Sequence, residues 1–176
     1  MPVAALAGRA DVMAQAGRDQ RCRVFFSGGT YCAHPSSLLA AKTYMTQLIE
    51  HEDEIYPRLG ELGEKMRKAM VRGFAEEGVL ARSTGSGAVL PSGSSLGMVH
   101  FPYDEETVID RPEMVCDPGV CDLVLRDRVL GPALLLEDVY LVHGHGAAAT
   151  AHTERDMERL EDACRKVARR IKPHRD

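Results

Sequence analysis

A short glycine-rich turn near the start of the chain has the residue types that bind a phosphate group. Residues 27–30 are Ser-Gly-Gly-Thr; they follow the short run Arg-Val-Phe-Phe at 23–26, and a helical pattern begins at Pro35. Backbone N–H groups left accessible by glycine, together with a threonine hydroxyl, can hold a phosphate at the entrance to a helix. An ordinary turn between a strand and a helix has the same composition, so this segment alone leaves both interpretations open.

Other polar residues have spacings that could serve chemistry, and each has a plainer interpretation. His143 and His145 flank Gly144 at a spacing suited to metal ligands or an acid–base pair. No Cys, Asp or Glu at ligand spacing accompanies them, so a loop histidine pair without a metal is expected. The carboxylates between positions 104 and 110 are expected to be solvated, and Thr153 is expected to cap the last helix.

The composition indicates one globular domain of ordinary size. The chain has 176 residues, of which 44% are hydrophobic and 27% are charged. A net charge of -4 argues against a nucleic-acid partner. No apolar stretch is long enough to span a bilayer, and the N-terminus lacks the basic region of a signal peptide. The five cysteines show no CxxC spacing, so we expect idle, reduced thiols and a cytoplasmic location.

Hydrophobic periodicity predicts helices combined with a small sheet, which places these polar residues mostly in loops and turns. Four helices are expected: one from Pro35, one from near Pro57 to Gly78, one over 119–137 with a break or kink at Gly131-Pro132, and one after Thr153. Strands are expected at 23–26, as two or three short runs within 79–101, at 139–142 and at 147–151. The pattern therefore predicts an α+β domain with a small antiparallel sheet.

Four segments along the chain share their order and residue pattern with one enzyme family. They are residues 1–13, ending in Gly-Arg-Ala-Asp-Val-Met; Gly29-Thr30 to Pro35 with the Ala-rich helix that follows; residues 56–67, with Leu-Gly-Glu-Lys-Met-Arg; and residues 136–157, with Val-Tyr-Leu and then His-Thr-Glu-Arg-Asp. In this order they resemble the class III pyridoxal-phosphate-dependent aminotransferases, and most of all the glutamate-1-semialdehyde 2,1-aminomutase group. The resemblance covers almost the whole chain.

The resemblance implies a fold, a cofactor and a site. Residues 1–34 would form the tail end of a large cofactor domain, and residues 35–176 the small C-terminal domain of a fold-type I enzyme, with a short antiparallel sheet covered by helices. In that family the Gly-Thr pair binds the phosphate of pyridoxal phosphate held mainly by the other subunit, which implies this role for Gly29 and Thr30. The implied partners are a second copy or a large-domain chain, with a small-molecule amino donor or acceptor and neither nucleic acid nor membrane.

Two departures from the family pattern bear on what the resemblance implies. The family's Schiff-base lysine precedes the stretch that begins here at Met1, so this chain is expected to lack it, to bind pyridoxal phosphate weakly or not at all, and not to catalyse alone. His34 and Asp138 stand where the family has Asn and Gly, which affects two tight turns. The resemblance leaves open whether the parent enzyme is an aminomutase or a transaminase. The alternative to both is a non-catalytic α+β interaction or oligomerisation module.

Overall fold

The computed structural model describes residues 6–17, 24–25, 34–88 and 90–174, in two compact units, residues 1–52 and 53–176. The first unit contains helix α1 (Ala10–Met13), strands β1 (Ala16–Gly17) and β2 (Val24–Phe25), and helix α2 (Pro35–Glu50). The two strands pair in parallel. Both the strand predicted within 23–26 and the helix predicted from Pro35 are confirmed. Helix α2 begins at a proline because the first helical N–H has no partner to lose.

The second unit contains a three-stranded antiparallel sheet and three further helices. Its elements are α3 (Glu52–Ala75), β3 (Arg82–Thr84), β4 (Leu96–His100), α4 (Leu130–Leu135), β5 (His145–Ala147) and α5 (Glu154–Ile171), with 3-10 turns at Pro112–Cys116 and Lys172–His174. The strand order is β3-β4-β5. The α+β class and the small antiparallel sheet predicted from the sequence are therefore confirmed. Within the described ranges, none of the helices is both long and apolar enough to cross a membrane.

The core lies between one face of this sheet and helices α3 and α5. A Cβ on Gly97 of β4 would come within 2.8 Å of the Met66 side chain of α3, so the strand lies directly against that helix. The rings of Phe74 and Phe101 meet edge to face at 4.9 Å. Helix α5 buries the predicted apolar stripe, which consists of Met157, Leu160, Cys164, Val167 and Ile171. Its predicted cap is confirmed as a capping box between Thr153 and Asp156.

Helices α3 and α4 differ from their predicted bounds for identifiable reasons. Helix α3 starts at Glu52, and Pro57 lies within its second turn, near the end of the helix where few backbone bonds are lost. The predicted break or kink at Gly131-Pro132 takes the form of a departure from α-helical geometry just before it, while α4 itself runs through the two residues. A π-turn at Leu125–Val129 comes just before and lets the Leu130 N–H bond to the Leu125 carbonyl. This wider turn accommodates the proline without ending the helix.

The strands predicted at 139–142 and 147–151 are both misplaced. Only Val142 of the first segment forms a bridge, and its partner is His145, the first residue of β5. The reason is the turn between them. His143 and Gly144 have φ angles of 50° and 73°, the combination of a type I′ turn, which permits a two-residue hairpin connection. Pairing with β4 therefore starts two residues earlier than predicted.

Asp138 lies in a conformation that favours glycine, which is the residue that the resembling family has there. It has φ 57° and follows α4 as the C′ residue of a Schellman motif, in which the Val139 N–H donates to the Leu134 carbonyl at 3.0 Å. Its carboxylate pairs with Arg159 at 3.1 Å, but both side chains are exposed, so the pair contributes little.

We expect Asp138→Gly to raise the free energy of unfolding by about 0.5 kcal/mol, because the relief of strain outweighs the exposed ion pair. Asp138→Val should lower it by more than about 1 kcal/mol, since a β-branched residue fits the left-handed region poorly. Urea denaturation of both variants measures the difference. Equal stability of the glycine and valine variants would show that the φ angle is not the determining factor.

Candidate functional site

The predicted phosphate-binding residues, Gly29 and Thr30, lie outside the described residues, and their role stays a prediction. The helix that follows them is described, and His34 is its N-cap. The His34 ring nitrogen Nδ1 accepts a hydrogen bond from the Ser37 N–H at 3.4 Å. His34 thus caps the helix as an Asn does at such positions, but through a longer hydrogen bond.

Two lysines of the chain have carboxylate neighbours that favour their protonated form. A Schiff-base lysine must lose its proton, which requires a lowered pKa. Instead, the carboxylates of Glu154 and Glu61 raise the pKa of Lys65. Asp162 and Glu137 likewise raise the pKa of Lys166. The remaining lysines lie at helix surfaces: Lys42, Lys68 and Lys172.

The histidines at 143 and 145 lie in the hairpin that leads into β5. His143 occupies the left-handed turn position, and its Nδ1 lies 3.8 Å from an Asp127 oxygen. His145 begins β5 and is exposed. Within the described ranges, no group of three or more His, Cys, Asp or Glu side chains is arranged to hold a metal ion.

The other polar residues that the sequence brought forward have local structural roles. The Nδ1 atom of His152 accepts a hydrogen bond from the Ala149 N–H at 2.8 Å. Asp104 accepts from the Glu106 N–H at 2.9 Å and so closes an Asx turn in the exposed loop. Among the thiols, burial raises the pKa of Cys164 to about 12, which makes it an unreactive core residue.

A buried polar cluster around His100 was missed by the sequence reasoning. His100 is 0% exposed on β4, and its Nε2 lies 2.8 Å from the Thr84 hydroxyl on β3. Its Nδ1 lies 3.4 Å from a guanidinium nitrogen of Arg126, which is 5% exposed. Because arginine can only donate, Nδ1 is assigned as the acceptor and Nε2 as the nitrogen that carries the proton. The neutral ring is therefore bonded on both sides.

Arg126 is the centre of this cluster. It forms a two-point ion pair with Asp127, at 2.6 and 3.0 Å, and donates to the Val115 carbonyl of the 103–118 loop. The guanidinium holds the pKa of Asp127 below its usual range. Burial, and then the charge of Arg126, lower the pKa of His100 to about 4. His100 and Arg126 together link the sheet, the π-turn and the loop that contains Val115. Because its ring is neutral and bonded on both sides, His100 is not available as an acid or base at neutral pH.

Arg67 forms a second buried cluster, between α3 and the β3–β4 connection. It is 6% exposed and donates to the carbonyls of Gly85, Ser94 and Leu96, while Glu64 neutralises its charge at 2.9 Å. Neither Arg67 nor Arg126 stands out in the sequence, since each looks like one of many surface arginines. Their roles follow from burial alone.

The sheet face opposite α3 and α5 is incompletely covered. Cross-strand partners lie on the same face, so Leu96 of β4 lies beside Ala147 of β5, and Met98 beside His145. Leu96 is 44% exposed, both β5 residues are exposed, and Met98 is partly exposed. We call this surface the outer face; it consists of Leu96, Met98, His145 and Ala147. It combines the apolar side chains of Leu96 and Met98 with polar ones, those of His145 and of Thr84, the partner of Met98 on β3.

Comparisons of this chain with protein-family models, with curated proteins and with solved structures find no match.

Proposed function

We propose that this chain is the small C-terminal domain, with its connecting segment, of a pyridoxal-phosphate-dependent class III enzyme, either an aminotransferase or a glutamate-1-semialdehyde 2,1-aminomutase. In this function residues 35–176 close over the active site and support a dimer. Gly29 and Thr30 bind the cofactor phosphate held mainly by the neighbouring subunit. The Schiff-base lysine comes from the large domain, so the chain does not catalyse alone.

The observation that carries the proposal is the outer face of the sheet. Leu96, which is 44% exposed, and the partly exposed Met98 give this face an apolar area that packing against a large domain would bury. A small domain that packs against a large one needs such a face. The free thiols of Cys121 and Cys164 support the cytoplasmic location that the proposal includes.

Reductive labelling tests the catalytic half of this proposal. When the purified chain is incubated with pyridoxal phosphate and then with borohydride, peptide mapping should find no specifically modified lysine, because Lys65 and Lys166 are held protonated by carboxylates. Specific and saturable modification of one lysine would contradict the proposal.

Complementation tests the domain half. Co-expression with a lysine-bearing large domain of a class III aminotransferase should give a complex with transaminase or aminomutase activity. Leu96→Arg should abolish association, because it places a charge in an apolar contact. The matched control is Val108→Arg in the exposed loop, where 72% of the valine is already accessible. Failure to associate would count against the proposal, and association without activity would favour the interaction-module alternative.

A further inference from the structure

A cleft opens between the two arms of the hairpin that contains β5. The type I′ turn pairs Val142 with His145 through two hydrogen bonds, of 3.2 and 2.8 Å. Leu141 remains close to Gly146, since a Cβ on that glycine would lie 2.6 Å from a Leu141 methyl group. The register of the turn would next pair Tyr140 with Ala147. No backbone hydrogen bond joins these two residues, so the arms separate at this point.

The open side of β5 presents an unpaired backbone donor and acceptor. The ladder to β4 uses Gly144, Gly146 and Ala148, as the bonds from Val99 N–H to Gly144 and from Ala148 N–H to Ser95 establish. In an antiparallel ladder the intervening residue directs its N–H and C=O to the opposite side. Ala147 therefore points both groups into the cleft, where no backbone group in the described part of the chain bonds to them.

The cleft has an apolar floor and charged side chains at its rim. Its volume is about 250 Å³, and Met66, Leu141, Met157 and Leu160 form the floor. At the rim, Arg159 pairs with Asp138 at 3.1 Å, and the second carboxylate, that of Asp156, accepts hydrogen bonds from the N–H and the hydroxyl of Thr153. His152 also lines the cleft; since its Nδ1 accepts from Ala149, its Nε2 carries a proton. The cleft thus combines apolar area, a sheet edge and hydrogen-bond donors.

We propose that this cleft binds an extended, uncharged peptide segment, which adds to the sheet as a strand beside β5. The N–H and C=O of Ala147 bond to its backbone, and one of its apolar side chains lies on Met157 and Leu160. Strand addition satisfies an unpaired edge and also buries apolar area, which a small polar solute cannot do. This interaction is separate from the pyridoxal-phosphate function and does not depend on it.

The probe is a blocked peptide, acetyl-Thr-Val-Leu-Val-Thr-amide, chosen because β-branched residues favour the extended form. Added to the ¹⁵N-labelled full chain, it should shift the amide signals of Ala147 and Tyr140 in a saturable manner. The matched control peptide has an N-methyl group on its leucine. It should bind about fivefold more weakly, because it lacks one backbone donor.

Variants at Ala147 separate strand addition from simple apolar contact. Ala147→Pro removes the edge N–H and should weaken binding about fivefold, whereas Ala147→Val retains that N–H and should bind as the unaltered chain does. A proline is tolerated here because the lost N–H faces outward. The proposal is overturned by the absence of saturable shifts, by equal binding of the methylated peptide, or by equal binding of the proline variant. Slow hydrogen exchange at Tyr140 and Ala147 without peptide would also overturn it, because the arms would then pair with each other.

Discussion

Replacing Arg67 by methionine is expected to lower the free energy of unfolding by about 3 kcal/mol. The guanidinium donates to three carbonyls, of Gly85, Ser94 and Leu96, in a place where only 6% of the residue is exposed. Methionine fills much of the volume but offers no donor, so these carbonyls lose their partner without gaining water. A buried acceptor left without a partner costs about 1–3 kcal/mol.

Lys68→Met is the matched control for this prediction. Lys68 is the next residue of α3 and also pairs with Glu64, at 3.3 Å, but 65% of its side chain is exposed. Its loss should change the stability by less than about 0.5 kcal/mol. Urea denaturation of both variants measures the contrast. If the two substitutions cost the same, Arg67 would be only a surface ion pair, contrary to its burial.

Acidification from pH 7 to pH 5 is expected to lower the free energy of unfolding by about 2 kcal/mol through His100 alone. Burial and the nearby Arg126 lower the pKa of this histidine from 6.5 to about 4. The unfolded chain therefore takes up a proton below about pH 6.5 that the folded chain refuses. The stabilisation that the neutral His100 provides is complete above about pH 6.5 and decreases as the pH falls below it. The decrease due to His100 ends near pH 4, where the folded chain also takes up the proton.

The variant His100→Asn isolates this contribution. It should lower the stability at pH 7, because a buried bond to Thr84 is lost, but it should flatten the profile between pH 7 and pH 5. Phe101→Leu is the control: it creates a cavity beside Phe74 and lowers the stability at every pH, yet it should keep the histidine slope. Denaturation series at several pH values give both slopes. An unchanged slope in the asparagine variant would remove His100 as its cause.

The sequence predicts α2 and α5 well, because their signals are local. The apolar stripe of α5 and the capping box at Thr153 both depend on residues within a few positions of each other. The predicted strands around the β5 hairpin differ from the structure because the register depends on two residues in the left-handed region. A histidine such as His143 does not indicate a type I′ turn in the sequence as a glycine would. Pairing with β4, distant in sequence, then decided where the strand begins.

The polar sites were harder to predict than the fold. Histidines in a glycine-rich loop suggest a metal site or an acid–base pair, yet His143 forms part of a turn. His100 has no local signal, since it occupies an alternating strand position between apolar neighbours. Its role depends on Thr84 and Arg126, which lie 16 and 26 residues away. A burial prediction for β4 would have indicated it, because a polar residue within a buried strand requires partners.

The π-turn at Leu125–Val129 also determines what a change of chain length would do in this region. Such a turn holds one more residue than an α-turn, so all that follows is rotated by about 100° relative to an uninterrupted α-helix. Leu130 and Leu134, both 0% exposed, lie in the segment whose orientation this rotation sets. A one-residue deletion within Leu125–Val129 would therefore act as a rotation of the following segment, turning these leucines towards solvent, while the length of the helix would hardly change.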